Sequence, residues 1–438
     1  MWWTGWTWLL KGESMKIING ADKFVKSTIG TQEIETDLEY VKSPYLVKDG
    51  NALFNALTRE AVLVRDMNDD IPYLIKNWFY IPKGFDASTL HHLIRQRRLQ
   101  IESGPGSNLK HSYTIFTTTA CNAACSYCFE KGFDILTMSE KTAEDVAAYI
   151  LRTRDRKQTT NLEWFGGEPL CNKKVINIIC DILKKNGVRY TSGLTTNGSL
   201  LPNCTDEELE DIWNVTHIQL TFDDVGNEYD KVKNLPTGSF NELIRTMERL
   251  EKLKLFTYVR IHYDPEKGKE PCIKVIDTVC RFDNIRPYAK LLYNEGGLEC
   301  YKVVLELNDY IGSKGKGYYV FPPVAKTNHC MADTNTIIAI TPDGNLTPCG
   351  HYAFGENLFG NIYSKYVDEN ILKTWKTREK AVMPKCKSCP LYPSCRKIVM
   401  CPAEGKCSDG YQYYQIESIK RALRKKVEEV NGNKLVNP

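Results

Sequence analysis

The segment TTTACNAACSYCFEKG (residues 117–132) places Cys121, Cys125 and Cys128 at spacings of four and three residues. A loop of this kind can wrap around one metal centre, but three thiolates leave a tetrahedral ion or a cubane cluster one ligand short. The spacing also differs from the paired Cys-x₂-Cys and Cys/His sets that are typical of structural zinc. The segment therefore predicts a metal centre with one open coordination position.

The composition limits the class of protein. The chain has 438 residues, a formal net charge of +4, 42% hydrophobic residues and 26% charged residues. These values are ordinary for a soluble protein of several domains, and they provide no electrostatic reason to expect nucleic acid as a partner. No stretch approaches the roughly 20 apolar residues that cross a bilayer, so we expect no membrane association.

The first residues, MWWTGWTWLL, lack the features of a signal peptide. The KGES that follows can be encoded by a purine run that resembles a bacterial ribosome-binding site. We therefore interpret residues 1–14 as a non-native or upstream extension and expect translation to begin at Met15.

The chain contains 16 cysteines. In a chain of this size, cysteines at metal-ligand spacings indicate metal or cluster ligation in a reducing cytosol rather than disulfides. Ten are interpreted as ligands. The other six stand singly in apolar-patterned segments and are interpreted as buried thiols: Cys171, Cys180, Cys204, Cys272, Cys280 and Cys300.

From residue 111 onward, predicted strands alternate with predicted helices. The strands cover 112–119, 160–169, 188–198, 217–224, 256–264 and 285–294, and the helices cover 139–156, 173–187, 205–214, 239–254 and 271–282. Ser239 and Glu242 fit a capping box at the start of one helix. This alternation predicts right-handed crossovers and a parallel sheet curled into a full or partial barrel of six βα units. Chemistry collects at the carboxyl ends of such strands, and the cysteine loop directly follows the first strand.

The flanking regions have different patterns. Residues 15–110 predict a small β-rich region with a hairpin within 45–64 and a helix over 86–99. Residues 325–410 are rich in cysteine, and residues 411–438 contain an amphipathic basic helix over 413–432. We interpret the charges of that helix as a solvated face, with substrate or partner binding as the alternative.

The cysteine loop, in this position, resembles that of the radical S-adenosylmethionine (SAM) superfamily, whose barrel residues 111–300 would form. The resemblance implies that Cys121, Cys125 and Cys128 hold a 4Fe–4S cluster whose open iron chelates the amine and carboxylate of SAM. Reduction then cleaves SAM to a 5′-deoxyadenosyl radical, which abstracts a hydrogen atom from the substrate.

Three further segments fit this family in order and spacing. GGEP (166–169) has two glycines that would allow close backbone approach to a ligand, and Glu168 would position the ammonium of SAM. TTNG (195–198), with Asn197, corresponds to a Thr-Asn-Gly of the family. IQLTFDD (218–224) resembles the fourth strand, where Thr221 would lie near the ribose, and Tyr127 would lie by the adenine.

The second group of cysteines resembles the SPASM extension, which normally holds two auxiliary 4Fe–4S clusters. The resemblance assigns Cys386, Cys389, Cys395 and Cys407 to the distal cluster and Cys330, Cys349 and Cys401 to the proximal one. The chain departs from the usual pattern because Val399 and Thr336 stand where cysteines occur in other members. The proximal cluster therefore has either an iron open to substrate or a fourth ligand such as His329 or His351. A structural zinc site at 386–395 would leave the other cysteines unexplained.

SPASM-bearing enzymes mostly act on peptides, and the long region before the barrel resembles that of maturases of ribosomally made peptides. We expect an enzyme that forms a thioether crosslink in a Cys-containing precursor, with flavodoxin or ferredoxin as reductant. The precursor's leader would add a strand to the amino-terminal region, unless that region only caps the barrel.

Several alternatives stay open. Carbon–carbon crosslinking and formylglycine formation by an anaerobic sulfatase maturase use related chemistry. A non-enzymatic iron–sulfur electron carrier or redox sensor would explain the clusters but not GGEP or the open coordination position. A zinc hydrolase would need an HExxH or comparable set, which the sequence lacks. Asp223, at the end of the fourth strand, either accepts a proton from the substrate or serves as a structural or cofactor-orienting carboxylate.

Overall fold

The computed structural model describes residues 15–64, 66–102, 109–128, 130–292, 296–317, 319–322, 332, 336–350, 355–364, 366–377, 384–395 and 407–432. The proposed extension 1–14, two of the predicted cluster ligands and the two candidate histidine ligands lie outside these residues: Cys330, Cys401, His329 and His351.

Strands β7 to β12 form the centre of the fold. They are β7 (Ser112–Thr118), β8 (Thr160–Gly166), β9 (Tyr190–Thr195), β10 (Val215–Phe222), β11 (Phe256–Tyr263) and β12 (Ile285–Leu291). Each pairs in parallel with the next. The predicted α/β partial barrel of six βα units is therefore confirmed.

Helices follow these strands and cover the outer face of the sheet. They are α4 (Glu140–Thr153), α5 (Lys173–Lys185), α6 (Gly226–Lys233), α7 (Ser239–Lys252), α8 (Glu270–Val279) and α9 (Leu298–Ser313). Their apolar faces and the outward side chains of the strands form one large core. The alternate strand residues face the inside of the barrel.

One local prediction was correct in part and another was wrong. The segment expected as a helix over 205–214 is helical, but from Glu208 to Ile212 it is a π-helix, in which the Trp213 N–H donates to the Glu208 carbonyl at 2.8 Å. The capping box of α7 does not form, because Gly238 is the N-cap. The Asp230 carboxylate instead accepts from the N–H groups of Gly238 and Phe240, at 2.7 and 2.8 Å.

The cysteine-rich region extends the barrel sheet, which the sequence pattern did not predict. Strand β13 (Ile337–Ile340) pairs in parallel with β7, and β14 (Asn345–Thr347) and β15 (Gly360–Asn361) continue antiparallel from it. These strands are too short for a recognisable alternation. The same region contributes α10 (Glu369–Thr377) and α11 (Pro384–Lys387).

The amino-terminal region is built on an antiparallel sheet in the order β1-β5-β4-β3. Its elements are β1 (Met15–Asn19), α1 (Lys23–Ile29), β2 (Tyr40–Lys42), β3 (Leu46–Asp49), β4 (Ala52–Asn55), β5 (Ala61–Val64), α2 (Met67–Lys76), β6 (Tyr80–Pro82) and α3 (Ser88–Glu102). The predicted hairpin is the β4–β5 pair. Strands β2 and β6 form a separate two-stranded sheet.

The carboxy-terminal helix α12 (Asp409–Asn431) packs against this sheet. Ile419 and Leu423 are buried in the same core as Tyr45 and Phe54. Arg421 pairs with Asp309 and Arg424 with Asp49, both at 2.8 Å. The interpretation of its charges as a merely solvated face was therefore incomplete. No helix in the described part of the chain is long and apolar enough to cross a membrane.

Candidate active site

The cysteine loop lies at the carboxyl edge of the parallel sheet, directly after β7. Cys121 and Cys128 are exposed, and Cys125 is half-buried. The Ala124 N–H donates to the Lys233 carbonyl at 2.9 Å, and the Cys128 N–H donates to the Cys125 carbonyl at 3.2 Å. The loop backbone is thus fastened to the end of α6.

Gly166 and Gly167 pack directly against the backbone that leads into this loop. A Cβ at Gly166, whose φ is +135°, would lie 2.1 Å from the Thr118 carbonyl oxygen. A Cβ at Gly167 would lie 2.4 Å from the Thr119 oxygen and 2.6 Å from the Ala120 oxygen. The glycines therefore allow the cysteine loop itself to approach closely, which is a physical reason different from the ligand contact expected from the sequence.

Glu168 links three loops at this edge. Its carboxylate is fully buried and accepts from the Leu170 N–H at 3.1 Å, the Thr196 hydroxyl at 2.8 Å and the Asn197 N–H at 2.8 Å. Burial raises the pKa of Glu168 to about 7, although these three donors act in the opposite direction. A carboxylate has about four acceptor positions, so this one retains about one for a further donor.

Asn197 connects that network to the cysteines. Its side-chain amide donates to the Cys121 sulfur at 3.8 Å and to the Asn122 side chain at 2.9 Å. The backbone carbonyl of Asn197 accepts from the Tyr229 hydroxyl at 2.8 Å. The structure therefore brings Glu168, Asn197 and Cys121 together, as expected for one site.

A buried charge cluster surrounds Asp223. The carboxylate lies 3.0 Å from the Lys233 ammonium and 3.0 Å from His262 Nδ1, and it accepts from the Tyr127 hydroxyl at 2.6 Å. Burial alone would raise the pKa of Asp223, but Lys233, His262 and Tyr127 together hold it well below its usual range. Such a weak base with three donors favours the structural interpretation of Asp223 over the proton-accepting one.

Lys233 and His262 were not predicted as site residues from the sequence. The Lys233 side chain is 2% exposed and also donates to the Tyr127 hydroxyl at 3.3 Å. His262 contacts the Tyr127 ring edge-on, with centroids 5.3 Å apart, and burial lowers its pKa. The sequence does show polar residues at alternate positions of β11, which face the inside of the barrel. Which residues of the neighbouring strand they contact depends on the parallel register, which the sequence alone does not give.

Thr221 lies on β10 opposite Arg260 of β11, on the same face of the strand as Gln219. This face lines the barrel interior, so Thr221 is placed below the charge cluster and near the carboxyl edge. That Thr221 lies beside the ribose of a bound cofactor stays a prediction.

The carboxy-terminal cysteines form two groups by position. Cys386, Cys389 and Cys395 lie in the ten-residue segment 386–395, where the Cys389 N–H donates to the Cys386 carbonyl at 3.0 Å. Gln412, five residues after Cys407, donates to the Cys389 sulfur at 3.3 Å. Cys349 lies elsewhere, next to Gly350, where a Cβ would be 3.6 Å from the Phe116 ring of β7.

The donor set fits iron–sulfur clusters. Among the described residues no group of three or more His, Cys, Asp or Glu side chains is placed to hold a single metal ion. A cubane cluster differs from a single ion because each thiolate binds a different iron, so its ligands are spread more widely. Burial raises the pKa of Cys121 to about 11, so this thiol must lose its proton when it binds a metal.

The interpretation of the remaining cysteines was correct for some of them. Cys180, Cys204 and Cys272 are buried, and Cys280 and Cys300 are half-buried. Cys171 was predicted to be buried but is exposed. The tight turn after Glu168 places it beside the backbone of Asn122, next to the cysteine loop.

Comparisons with known proteins agree with this geometry. Residues 115–279 match the Radical SAM superfamily. GTP 3′,8-cyclase of Clostridium perfringens is 24% identical over 287 residues, which cover 59% of this chain and 85% of that protein. Radical SAM cyclopropyl synthase TigE of Paramaledivibacter caminithermalis is 25% identical over 237 residues, which cover 50% of this chain and 48% of TigE.

A solved structure described as native anSMEcpe with bound AdoMet and Cp18Cys peptide shares the fold. Its TM-score is 0.52 at 15% identity, over 74% of this chain and 99% of that one. Residues 115–279 therefore form a radical SAM domain, and the protein is an enzyme.

Proposed function

We propose that this enzyme is a radical SAM peptide maturase that forms a thioether crosslink between a cysteine sulfur and a carbon of a ribosomally made precursor. The observation that carries the proposal is the cysteine loop, held by Gly167, Glu168 and Asn197 at the carboxyl edge of the barrel. Its three cysteines and the adjoining barrel interior would provide places for a cofactor and a substrate.

When bound, a 4Fe–4S cluster and SAM supply a 5′-deoxyadenosyl radical that abstracts hydrogen, and auxiliary clusters supply an electron acceptor. Cys121, Cys125 and Cys128 would hold the first cluster. Glu168 has about one acceptor position left for the SAM ammonium. The Asp223–Lys233–His262 cluster fixes the Tyr127 hydroxyl, so the Tyr127 ring is held in one place beside the cysteines.

The carboxy-terminal cysteines support the assignment of auxiliary clusters. The Gln412–Cys389 contact joins the segment 386–395 to the first turn of α12, which begins two residues after Cys407. Cys386, Cys389, Cys395 and Cys407 would therefore hold the distal cluster. Cys349, with Cys330 and Cys401, would hold the proximal cluster close to the barrel interior.

A peptide substrate is supported by two observations. The anSMEcpe structure, which shares the fold, is described with a bound peptide. The amino-terminal sheet ends in strands β1 and β3, each paired on one side within the described residues. Ile17 of β1 is 50% exposed, so an added leader strand would cover it. We place the reaction in a reducing cytosol, with flavodoxin or ferredoxin as the electron donor.

The test uses the reconstituted enzyme, SAM, a reducing system and any short Cys-containing peptide that is found to be encoded next to the gene. A thioether product is lighter than the precursor by two hydrogens per crosslink and has lost one free thiol. An unchanged precursor would refute the proposal, and formylglycine in the product would assign the enzyme to sulfatase maturation. GTP serves as the parallel substrate, because curated relatives are GTP 3′,8-cyclases.

A further inference from the structure

The barrel contains a cavity of about 470 Å³. This volume lies within the range of about 300–1,000 Å³ that is typical of small-molecule sites. Strands β8 to β12 line it with inward-facing side chains, and α9 and the segment after it complete the wall. The residues that the strands contribute include Glu163, Thr195, His217, Gln219, Tyr258 and Arg286.

Four of these residues form one row across the sheet. Thr195 of β9 is in register with Gln219 of β10. Tyr258 of β11 is in register with both Gln219 and Arg286 of β12. Residues in register on parallel strands point to the same face, and neighbouring strands are about 4.8 Å apart. Thr195 is the last residue of β9, so the row begins at the carboxyl edge that carries the cysteine loop.

The carboxylate of the lining already has partners within the protein. Glu163 Oε1 accepts from the Asn161 amide at 2.9 Å, and Glu163 Oε2 lies 3.6 Å from His217 Nε2. The pair of Glu163 and His217 meets across β9, where a Cβ at Gly193 would lie 2.3 Å from the Glu163 oxygen. Glycine at this position therefore allows the pair to form beside the row.

The guanidinium of the lining is held at the amino end of β12. Arg286 Nη1 donates to the Asp283 carbonyl at 3.1 Å and to the Ile285 carbonyl at 2.9 Å. The guanidinium also lies over the Phe256 ring, 5.2 Å from its centroid. Glu163 and Arg286 thus carry opposite formal charges, and both are engaged with the protein.

The uncharged groups of the row are different. Among the described residues, the Thr195 hydroxyl, the Gln219 carboxamide and the Tyr258 hydroxyl form no hydrogen bond. The three side chains are half-buried, and their polar atoms remain accessible from the cavity. These groups can therefore pair with a ligand without breaking any contact in the protein.

Gln219 determines the chemistry of that ligand. A carboxamide has an acceptor oxygen and N–H donors side by side. A second primary carboxamide pairs with it through two hydrogen bonds, whereas the N–H and C=O of a trans peptide unit point in opposite directions. A carboxylate would leave the Gln219 oxygen without a donor and would add a negative charge near Glu163. An ammonium would leave the Gln219 N–H groups without an acceptor.

We propose that this cavity binds the side-chain carboxamide of an Asn or Gln residue of the substrate, paired with Gln219. The inference rests on the proposed function in that the substrate is a peptide. The flanking hydroxyls of Thr195 and Tyr258 would bond the lone pair and the N–H that the carboxamide pair leaves free. The substrate would thereby be anchored inside the barrel, next to the edge that carries the cysteine loop.

The test compares three peptides that differ in one side chain. The holoenzyme with SAM is dialysed to equilibrium against Ac-Gly-Gln-Gly-NHCH₃ and against its Met and Glu counterparts, each labelled in the acetyl group. The methylamide end leaves the Gln side chain as the only primary carboxamide. The Gln peptide should bind at least about tenfold more tightly than either of the others, as expected for two hydrogen bonds.

Two variants and one control test the assigned residues. Gln219→Met keeps the side-chain volume and should abolish the preference for the Gln peptide. Tyr258→Phe keeps the ring against Phe256 and His217 and should reduce the preference by about threefold or more. Gln96→Met, on the exposed face of α3, should leave the preference unchanged. Neither variant of the row removes a hydrogen bond within the described residues, so both should unfold at the wild-type urea midpoint or above it.

Several outcomes would overturn the proposal. Equal affinity of the wild type for the three peptides, or no measurable binding of any, would do so. So would tighter binding of the Glu peptide, or a preference for the Gln peptide that persists in Gln219→Met.

GTP is the fourth ligand, because guanine also carries an N–H beside a C=O, and it should not displace the Gln peptide. Displacement by GTP that is lost in Gln219→Met would assign the row to a nucleobase instead. The thioether assay fails or succeeds separately, because it scores the mass of the precursor and not the preference among these peptides.

Discussion

The close contact between Gly167 and the backbone before Cys121 predicts the effect of one added methyl group at Gly167. A Cβ there would lie 2.4 Å from the Thr119 oxygen and 2.6 Å from the Ala120 oxygen. Both carbonyls would have to retreat by roughly 0.8 Å to restore a normal contact. The oxygens belong to the residues that lead directly into Cys121, so the Gly167→Ala substitution displaces the root of the cysteine loop.

The expected cost follows from two contributions. The Gly167 N–H donates to the Thr118 carbonyl at 3.1 Å and the Glu168 N–H donates to the Ala120 carbonyl at 2.9 Å, and the shift would weaken both bonds. Two lost hydrogen bonds cost about 2 kcal/mol. Overpacking adds about 1–3 kcal/mol. We therefore expect a loss of about 3–5 kcal/mol in the free energy of unfolding.

Urea unfolding and iron analysis after reconstitution measure both consequences. Gly167→Ala should unfold at lower urea and bind fewer irons in the radical SAM site. Gly20→Ala is the matched control, because a Cβ there meets nothing within 4 Å and its φ is not positive. A Gly167→Ala protein with the wild-type midpoint and iron content would refute the packing argument.

Three further predictions address the buried charges and the second cysteine group. Folded Glu168 keeps its proton up to about pH 7, whereas the unfolded value is 4.5. The free energy of unfolding should therefore fall by roughly 3 kcal/mol between these pH values, and Glu168→Gln should remove that slope in urea titrations at pH 5, 6 and 7. If the free energy of unfolding of Glu168→Gln falls with pH as steeply as that of the wild type, burial does not raise the pKa of Glu168. Lys233→Met leaves Asp223 buried without its cation and should cost about 3–5 kcal/mol at neutral pH. Because Asp223 stabilises the fold above its unfolded pKa and loses this effect only as pH falls through its lower folded value, the loss in the variant should be smallest in acid. Lys141→Met, an exposed partner of Asp145, is the control and should change stability little. Cys386→Ala should lower the iron content by about four per chain while SAM cleavage persists, and loss of cleavage would show that the distal cysteines do not form a separate site.

The sequence was most informative where a motif is local. The cysteine loop, GGEP and TTNG each lie in one turn at the end of a strand, so their spacing carried the information. Six long strands and their amphipathic helices have regular periods, and the barrel could be predicted from them.

Other features depend on residues that are distant in sequence. Lys233, His262 and Asp223 meet only through the parallel register of β10 and β11 and the return of α6, which no single-sequence period encodes. Glycine is required at position 167 because the backbone of the cysteine loop lies too close for a Cβ, and the GGEP motif does not show this contact. The short strands β13 to β15 have two to four residues each, too few for alternation to be seen.

The central claim is that the loop around Cys121, Cys125 and Cys128 supports the reductive cleavage of SAM. The most direct measurement is the yield of 5′-deoxyadenosine from SAM and dithionite, for the reconstituted wild-type enzyme and for Cys125→Ala. The wild type should produce 5′-deoxyadenosine, and the variant should produce none above the background of dithionite alone. Equal yields from the two proteins, or no product from a wild-type enzyme that contains its full complement of iron, would contradict the account.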